Sequence, residues 1–193
     1  IDFGSLPDRF VIKANHDSGS TIIVRDKKCI DKSKLKRISQ SLRVNYGYFS
    51  QEWVYENIQS KIIVEEYLDD GQPNGLWDYK IHCFGGEPKL VQVDVDRFVN
   101  HKRYFYDASW NKIDLAVLYP TDSFAVPKPE LLEEALEKSR VLSHGFCYVR
   151  VDWYMVGKRL VFGEMTFFHG SGFEHFSKKE WEFRMGSWID IPV

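Results

Sequence analysis

The stretch CYVRVDWYMVGKRLVFGEMT, residues 147–166, decides the fold of this chain because it reads as two strands joined by a tight turn. Apolar and polar residues alternate from Val149 to Tyr154, which is the period-2 pattern of a strand with one polar face. A short turn follows at Gly157, and Leu160 begins the returning strand. The stretch therefore predicts a β-hairpin.

Two acidic residues, Asp152 and Glu164, lie on the two arms of this hairpin. They are close to mirror positions about the turn, so their side chains are expected to face each other. Adjacent carboxylates repel each other unless a positive charge lies between them. For oxygen ligands the usual charge is Mg²⁺ carried with a nucleotide phosphate. The alternative is a solvated strand face with two unrelated acids.

The composition of the 193 residues is that of a folded protein with either one substantial domain or two small lobes. Hydrophobic residues make up 44% and aromatic residues 16%, which excludes a disordered or low-complexity class. The net charge of −2 gives no general attraction to nucleic acid or to an anionic membrane. No apolar run has the length of a membrane span, and no signal peptide is visible.

The three cysteines, Cys29, Cys83 and Cys147, are widely spaced and form no CxxC pair. This pattern favours a reduced, cytoplasmic setting over a zinc site or a disulfide framework. The chain begins at Ile1 rather than at a methionine, which is expected for the middle of a longer protein.

The first third of the chain predicts a β-hairpin, two helices and a further strand. Residues 9–14 and 21–25 are β-branched strands around the polar turn 15–20. Asp31 is a plausible N-cap for a helix to about Leu42. A second helix is predicted over 51–57, and a strand over 61–68, before the break at 69–75.

The remaining residues predict mainly antiparallel strands. Residues 77–84 and 88–96 form a pair around Gly85-Gly86, and 102–106 is a short strand. Helices are predicted over 129–142 and 178–189. Since strands and helices mix without β-α-β alternation, the fold class is α+β with antiparallel sheets. Neither a Rossmann GxGxxG nor a Walker A sequence occurs, so a nucleotide would be bound in another way.

Four segments, in order and spacing, resemble the TupA-like ATP-grasp family, which is found in bacterial surface-polysaccharide gene clusters. They are FVIKANHDSGS at 10–20, KIIVEEYLDD at 61–70, DYKIHCFGGEPKLVQVDVDRF at 78–98, and RVDWY to FGEMTFFHGSGFE from 150 to 174. The resemblance implies two α+β subdomains, 1–68 and 69–193, that enclose a nucleotide cleft, with a further N-terminal domain preceding this chain.

The resemblance implies a nucleotide-binding role for two segments of the first subdomain. Lys13 would contact phosphates, and the flexible loop 15–20 would close over them through Ser18, Gly19 and Ser20. The hinge Glu65-Glu66-Tyr67-Leu68 would hold adenine and ribose. Without the resemblance, Lys13 is an exposed strand lysine and residues 65–68 are an edge strand. The loop is then an ordinary turn, in which a histidine such as His16 is solvated.

In the second subdomain the resemblance implies that Asp152, Glu164 and Thr166 bind one or two Mg²⁺ ions. Many ATP-grasp enzymes have asparagine where this chain has Thr166, a weaker ligand. Lys80 would be a second phosphate contact, and Arg150 would stabilise an acyl-phosphate adduct. The alternative for Arg150 is a structural ion pair with one of the acids.

Substrate contacts are expected from Arg97, at the charged end of a strand, and from the turn formed by Gly170, Ser171 and Gly172. The N–H groups of this turn are suited to a carboxylate or phosphate oxygen. For Arg97 the alternative is a solvated surface position.

The function implied by the resemblance is an ATP- and Mg²⁺-dependent ligase that joins a small-molecule or saccharide carboxylate to an amine through an acyl phosphate. Two alternatives remain open. One is a carbohydrate-binding or scaffold module, supported by the tryptophans Trp77, Trp110, Trp153, Trp181 and Trp188. The other is a sugar kinase that uses the same ATP site.

Overall fold

The computed structural model describes residues 1–191, apart from the side chains of residues 49 and 50. The chain divides into two compact units, Ile1–Leu68 and Asp69–Val193, here called the N-terminal and C-terminal units.

The N-terminal unit is a three-stranded antiparallel sheet with two short helices. The strands are β1 (Phe10–Ala14), β2 (Thr21–Val24) and β3 (Ile62–Glu66), in the order β2-β1-β3; the helices are α1 (Lys32–Ser41) and α2 (Tyr46–Ser50). The side chain of Asp31 caps α1 by accepting from two backbone N–H groups, as predicted. The hydrophobic core of the N-terminal unit comprises Phe10, Ile12, Ala14, Ile22, Val24 and Ile38.

The helix predicted over 51–57 is wrong. The α-helix lies earlier, at Tyr46–Ser50, where the side chain of Asn45 accepts from the Tyr48 N–H. It ends at Gln51, whose φ of 60° is left-handed and stops the helix. A single 3₁₀ turn, Trp53–Tyr55, follows.

The C-terminal unit contains a six-stranded antiparallel sheet and two helices. The strands are β4 (Asp78–Phe84), β5 (Glu87–Val95), β6 (Lys102–Tyr106), β7 (Lys112–Ile113), β8 (Tyr148–Val156) and β9 (Arg159–Thr166), in the order β7-β6-β5-β4-β8-β9. The helices are α3 (Leu132–Leu142) and α4 (Lys179–Gly186). The α+β class with antiparallel sheets is confirmed.

The two faces of this sheet differ because side chains alternate along each strand. One face is apolar and packs with α3; it comprises Ile81, Val91, Val93, Val149 and Val151, among others, with Leu132 and Ala135 from the helix. The opposite face carries charged and polar side chains at the alternate positions, for example Lys80 on β4 and Asp152 on β8. Farther along this second face, Leu90 and Phe105 form an apolar patch with Trp181 and Met185.

A β-bulge in the hairpin of β8 and β9 determines which side chains of β9 share the polar face. Trp153 pairs with Phe162, but Asp152 pairs with Glu164, so Gly163 is the extra residue. A Cβ at Gly163 would lie 3.1 Å from the carbonyl oxygen of Asp152, which leaves little room for a side chain. Without the bulge Asp152 would face Gly163, and Glu164 would point to the apolar face.

Candidate functional site

The polar face of the C-terminal sheet carries a chain of alternating positive and negative side chains. Lys80 pairs with Asp152 in the register of β4 and β8, and Asp152 pairs with Glu164 in the register of β8 and β9. The predicted juxtaposition of Asp152 and Glu164 is therefore confirmed. The members of the chain, in spatial order, are Arg97, Asp78, Lys80, Asp152, Arg150 and Glu164.

Asp152 is at the centre of this chain and is held by two cations. Its Oδ2 accepts from Lys80 Nζ at 2.6 Å and from Arg150 Nη2 at 2.7 Å, and its Oδ1 accepts from Arg150 Nε at 2.7 Å. Its residue surface is 2% exposed. Burial alone would raise the pKa of the Asp152 carboxyl, but Arg150 and Lys80 outweigh it and lower the pKa. Asp152 is thus ionised and preorganised.

Lys80 bridges two carboxylates. Its Nζ lies 2.7 Å from Asp78 Oδ2 and 2.6 Å from Asp152 Oδ2. Burial tends to lower the pKa of this ammonium, yet the two carboxylates raise it above its ordinary value, so Lys80 carries a positive charge. Asp78 Oδ2 also accepts from Arg97 Nη1 at 2.7 Å.

Asp78 belongs to the site although the sequence analysis did not select it. It is 1% exposed, and its second oxygen, Oδ1, is buried without a hydrogen-bond partner. The signal that points to it is the spacing Asp78-x-Lys80, which places both side chains on one face of a strand.

Glu164 differs from Asp152 in its surroundings. About 62% of its side chain is exposed, and its Oε1 lies 3.5 Å from both Arg150 Nη2 and Thr166 Oγ1. Although most of the side chain is exposed, desolvation of its carboxyl beside the packed sheet and then the negative charge of Asp152 raise the pKa of Glu164. A cation bound beside Glu164 would relieve this repulsion.

The donor set of Asp152, Glu164 and Thr166 fits a hard divalent cation, since all its ligand atoms are oxygens. An ionised carboxylate has about four acceptor positions, and Asp152 uses three, so one remains on Oδ1. In the described part of the chain, no group of three or more His, Cys, Asp or Glu side chains is placed to hold a metal ion. Phosphate oxygens and water would complete the coordination, as is common for Mg²⁺.

A second polar network continues along the same face from β4 to β6. His82 contacts Tyr148 and Gln92, Gln92 donates to Asp94, and Arg103 donates to Asp94 with Nε at 2.7 Å and Nη2 at 3.3 Å. The contacts join side chains from four strands, β4, β5, β6 and β8, so the only local pattern that points to the network is the spacing Gln92-x-Asp94 on β5.

The turn around Gly170 is tied to this network through Glu174. Glu174 Oε2 lies 3.2 Å from Arg103 Nη1 and 3.1 Å from His169 Nε2. Gly170 and Ser171 have left-handed φ values of 55° and 53°. The Ser171 N–H donates to the Phe168 carbonyl at 3.1 Å. This N–H, which was predicted to bind a substrate oxygen, therefore makes a hydrogen bond within the turn.

Alanine at Gly170 is expected to destabilise the protein by about 2–4 kcal/mol, because a Cβ there adds steric overlap to left-handed strain. The added atom would lie 2.3 Å from Glu174 Cγ, and the Glu174 carboxylate is held by Arg103. Gly172→Ala is the matched control, since its φ is 78° but nothing lies within 4 Å; its cost is about 1–2 kcal/mol. Urea denaturation measures both, and equal costs would contradict the packing of Glu174 under the turn.

In the N-terminal unit, the residues predicted to bind phosphate lie at one end of the β1-β2 hairpin. Lys13 Nζ lies 2.8 Å from Glu65 Oε1, which is on the neighbouring strand β3. Ser18 and Gly19 are exposed, Ser20 is half-buried, and Gly19 has a φ of 94° with open space where a side chain would be.

Two residues fix the start of this loop. The side chain of Asn15 accepts from the Lys61 N–H at 2.7 Å and donates to the Gln59 carbonyl at 3.1 Å. His16 was expected to be solvated, but it is 3% exposed and its Nε2 lies 3.0 Å from the Ser41 carbonyl oxygen.

The predicted hinge spans the end of a strand. Glu65 and Glu66 are the last residues of β3, and Tyr67 and Leu68 follow it. The ring of Tyr67 packs under the guanidinium of Arg9 at 4.9 Å.

The tryptophans that supported a carbohydrate-binding module largely pack within the C-terminal unit. Trp153 is 4% exposed in the core, and Trp77 and Trp110 pack against the same core. Trp181 packs on the smaller apolar patch and contacts Trp188 edge-on. Trp153 is therefore a core residue, while the other four tryptophans have packing contacts and remain partly exposed.

Comparison with known proteins identifies the family. The profile of the TupA-like ATPgrasp family matches residues 1–190, so the chain belongs to this family. The predicted family and its α+β ATP-grasp fold are confirmed. No curated protein matches the chain.

Solved structures with similarity to the chain include D-alanine–D-alanine ligases. One from Bacillus anthracis, complexed with ATP, is 15% identical with a TM-score of 0.42, over 82% of this chain and 39% of that one. A second from B. anthracis is 18% identical with a TM-score of 0.42, over 82% and 42%. One from Helicobacter pylori is 15% identical with a TM-score of 0.41, over 86% and 44%. The chain thus spans about two-fifths of the length of these ligases.

Among the described residues, no helix combines the length and apolar character that crossing a bilayer requires. All three cysteines are free thiols, with Cys83 buried and Cys29 and Cys147 exposed.

Proposed function

We propose that this protein is an ATP- and Mg²⁺-dependent carboxylate–amine ligase that acts through an acyl phosphate in cell-surface polysaccharide biosynthesis. The observation that carries the proposal is the alternating charge chain, in which Lys80 and Arg150 are buried and fixed on either side of Asp152. Phosphoryl transfer needs mainly positioning and charge neutralisation, and this arrangement supplies both. Family membership supports the assignment of ATP as the phosphoryl donor.

The proposed reaction has two steps, phosphoryl transfer and then amide formation. A carboxylate oxygen of the first substrate attacks the γ-phosphorus of ATP, and the bond to the ADP oxygen breaks. The amine nitrogen then attacks the acyl carbon, the bond to phosphate breaks, and the nitrogen loses a proton. Amide, ADP and phosphate are the products.

The side chains of the C-terminal unit have distinct roles in this scheme. Mg²⁺, held by Asp152, Glu164 and Thr166, would neutralise phosphate charge. Lys80 orients a phosphate group, while Arg150, fixed by two bonds to Asp152, stabilises the charge that develops on the acyl phosphate. Because Arg150 is already held in place, little reorganisation is needed during the reaction.

In the N-terminal unit we assign the nucleotide contacts to Lys13, the loop residues Ser18, Gly19 and Ser20, and the segment 65–68. Lys13 lies on a strand, so its stem is fixed and its ammonium is available to a phosphate in exchange for Glu65. The open space at Gly19 suits a close approach of backbone N–H groups to phosphate oxygens.

We assign the substrates to Arg97 and to the turn Gly170-Ser171-Gly172. The side chain of Arg97 is 40% exposed, so it retains donors for an anionic group while it pairs with Asp78. The substrates are a small-molecule or saccharide carboxylate and an amine, and we place the reaction in the cytoplasm, where ATP and reduced cysteines occur.

Thermal denaturation with Mg-ATP tests the proposal. At a ligand concentration 100 times Kd, binding adds about 2.7 kcal/mol, which corresponds to a rise in Tm of roughly 5–10 °C for a chain of this size. The double substitution Asp152→Ala and Glu164→Ala is expected to abolish this rise relative to its own ligand-free Tm. A wild-type protein without a Mg-ATP-dependent rise would contradict the proposal.

Product analysis then separates the ligase from the kinase. A ligase releases ADP only when both a carboxylate and an amine are present, and it forms an amide in equal amount. ADP release with a saccharide that lacks a carboxylate would instead identify a sugar kinase. Nucleotide binding without ADP release across the substrate panel would favour a non-catalytic module.

A further inference from the structure

The ammonium of Lys80 lies where a cation is needed between two carboxylates. Its Nζ is 2.7 Å from Asp78 Oδ2 and 2.6 Å from Asp152 Oδ2, and the residue is 6% exposed. A lysine ammonium is a compact point charge, so it satisfies both oxygens as a small metal ion would.

The site is electrically balanced with Lys80 in this position. Three carboxylates, those of Asp78, Asp152 and Glu164, are matched by the three cations Lys80, Arg97 and Arg150. A bare divalent ion would add two positive charges to a balanced site or would displace the buried ammonium from Asp152, one of its two carboxylate partners. Both outcomes are unfavourable because an unpaired buried charge is strongly destabilising.

Asp78 makes the position between the carboxylates suited to a cation. Its Oδ1 is buried and has no hydrogen-bond partner, while its Oδ2 accepts from both Lys80 and Arg97. Removing the ammonium would therefore expose oxygens of Asp78 and Asp152 that have lost their shared counterion.

We propose that Lys80 is the resident cation of this site and that its ammonium excludes a bare divalent ion. Lys80 leaves Asp152 only when nucleotide phosphates offer the ammonium a new partner. This inference rests on the proposed function, and it adds an order of binding: metal is accepted with the nucleotide and not before it. Since binding linkage is reciprocal, the nucleotide must then raise metal affinity by the same factor as metal raises nucleotide affinity.

Direct Mn²⁺ binding, measured from the electron paramagnetic resonance signal of the free ion, tests the inference without catalysis. Lys80→Met keeps an apolar stem of similar length and removes the charge. We expect this variant to bind Mn²⁺ alone at least about tenfold more tightly than the wild type, in the usual range of coupling between sites. In the wild type, a non-hydrolysable ATP analogue is expected to tighten Mn²⁺ binding by a similar factor.

Three further variants serve as controls. Lys80→Arg retains a cation and is expected to bind Mn²⁺ as weakly as the wild type does. Adding Asp152→Asn to Lys80→Met is expected to remove the gain. Lys178→Met breaks an exposed ion pair with Asp114 in the same unit and is expected to change nothing.

The inference is overturned if Lys80→Met binds Mn²⁺ no more tightly than the wild type, or if the gain survives Asp152→Asn. Should Lys80→Met fail to fold, Lys80→Gln replaces it under the same criteria. The comparison of Lys80→Met with the wild type needs no nucleotide, so it is distinct from a failure of the ligase proposal, which appears as absent nucleotide binding by the wild type. A nucleotide that binds but leaves Mn²⁺ affinity unchanged also overturns the inference.

Discussion

Replacing Asp152 with alanine is expected to lower the free energy of unfolding by about 3–5 kcal/mol, because it removes the carboxylate that two buried cations share and leaves one of them with Asp78 alone. Those cations are Lys80 and Arg150, which make three bonds to Asp152 at 2.6–2.7 Å. The corresponding fall in Tm is roughly 6–20 °C for a chain of this length. Chemical denaturation in the absence of nucleotide measures the effect.

Glu164→Ala is the matched comparison, since Glu164 is the other carboxylate of the pair. Its side chain is 62% exposed and its contact with Arg150 is 3.5 Å long. Exposed ion pairs contribute about 0–1 kcal/mol, so its removal is expected to cost no more than that. Equal costs for the two substitutions would show that Asp152 is not the electrostatic centre of the site. Asp114→Ala, at an exposed pair, sets the baseline for loss of a surface acid.

Acidification from pH 6.5 towards pH 4.5 is expected to destabilise the protein steeply through His82 and His169. Burial, followed by the positive charge of Arg150, lowers the pKa of His82 to about 3; burial, followed by His82 and Arg150, lowers the pKa of His169 to about 2. Both therefore stay neutral in the folded protein, while in the unfolded chain they take up protons below about pH 6.5. Their stabilising effect is complete above that pH and is lost as the pH falls towards the folded-state pKa values.

The slope of stability against pH is the quantity to measure. Each histidine contributes about 1.4 kcal/mol per pH unit in this window, so two contribute about 2.7 kcal/mol per pH unit. His169→Asn is expected to halve the slope, whereas His175→Asn, at an exposed position, should leave it unchanged. Urea denaturation between pH 7 and about pH 5 avoids most of the contribution from acids with lowered pKa, such as Asp94, which begins when the unfolded chain takes up protons. A flat profile, or an unchanged slope in His169→Asn, would contradict the neutral buried pair.

The sequence was sufficient for the features that depend on local periodicity. Alternation along β8 placed Asp152 on a polar face, and the turn at Gly157 placed Glu164 near Asp152. Lys80, by contrast, was selected through the family resemblance. Mirror positions about the turn explain only in part why Asp152 pairs with Glu164, because the extra residue of the bulge, Gly163, is also needed for this register. A glycine inside a strand pattern is a signal for such a bulge.

The sequence was insufficient where the structure depends on distant residues. Arg103 and Glu174 are 71 positions apart, and their contact follows from how the turn folds back onto the sheet. Asp78 was missed because it follows an irregular segment, where alternation has too few residues to be recognised. The interpretation of the acid pair as a site that needs a metal ion also overlooked Lys80, which lies against Asp152, whereas the ion pair of Arg150 with one of the acids was the stated alternative and is observed.

The bulge at Gly163 has a practical consequence for protein engineering. Between it and the turn, the hairpin pairs regularly from Trp153 and Phe162 to Val156 and Arg159. A pair of residues inserted symmetrically at the tip would therefore lengthen both arms without rotating Asp152 or Glu164 away from each other. The tip at Gly157 is thus a suitable place to graft a reporter peptide. An insertion or deletion of one residue next to Gly163 would instead exchange the two faces of the strand.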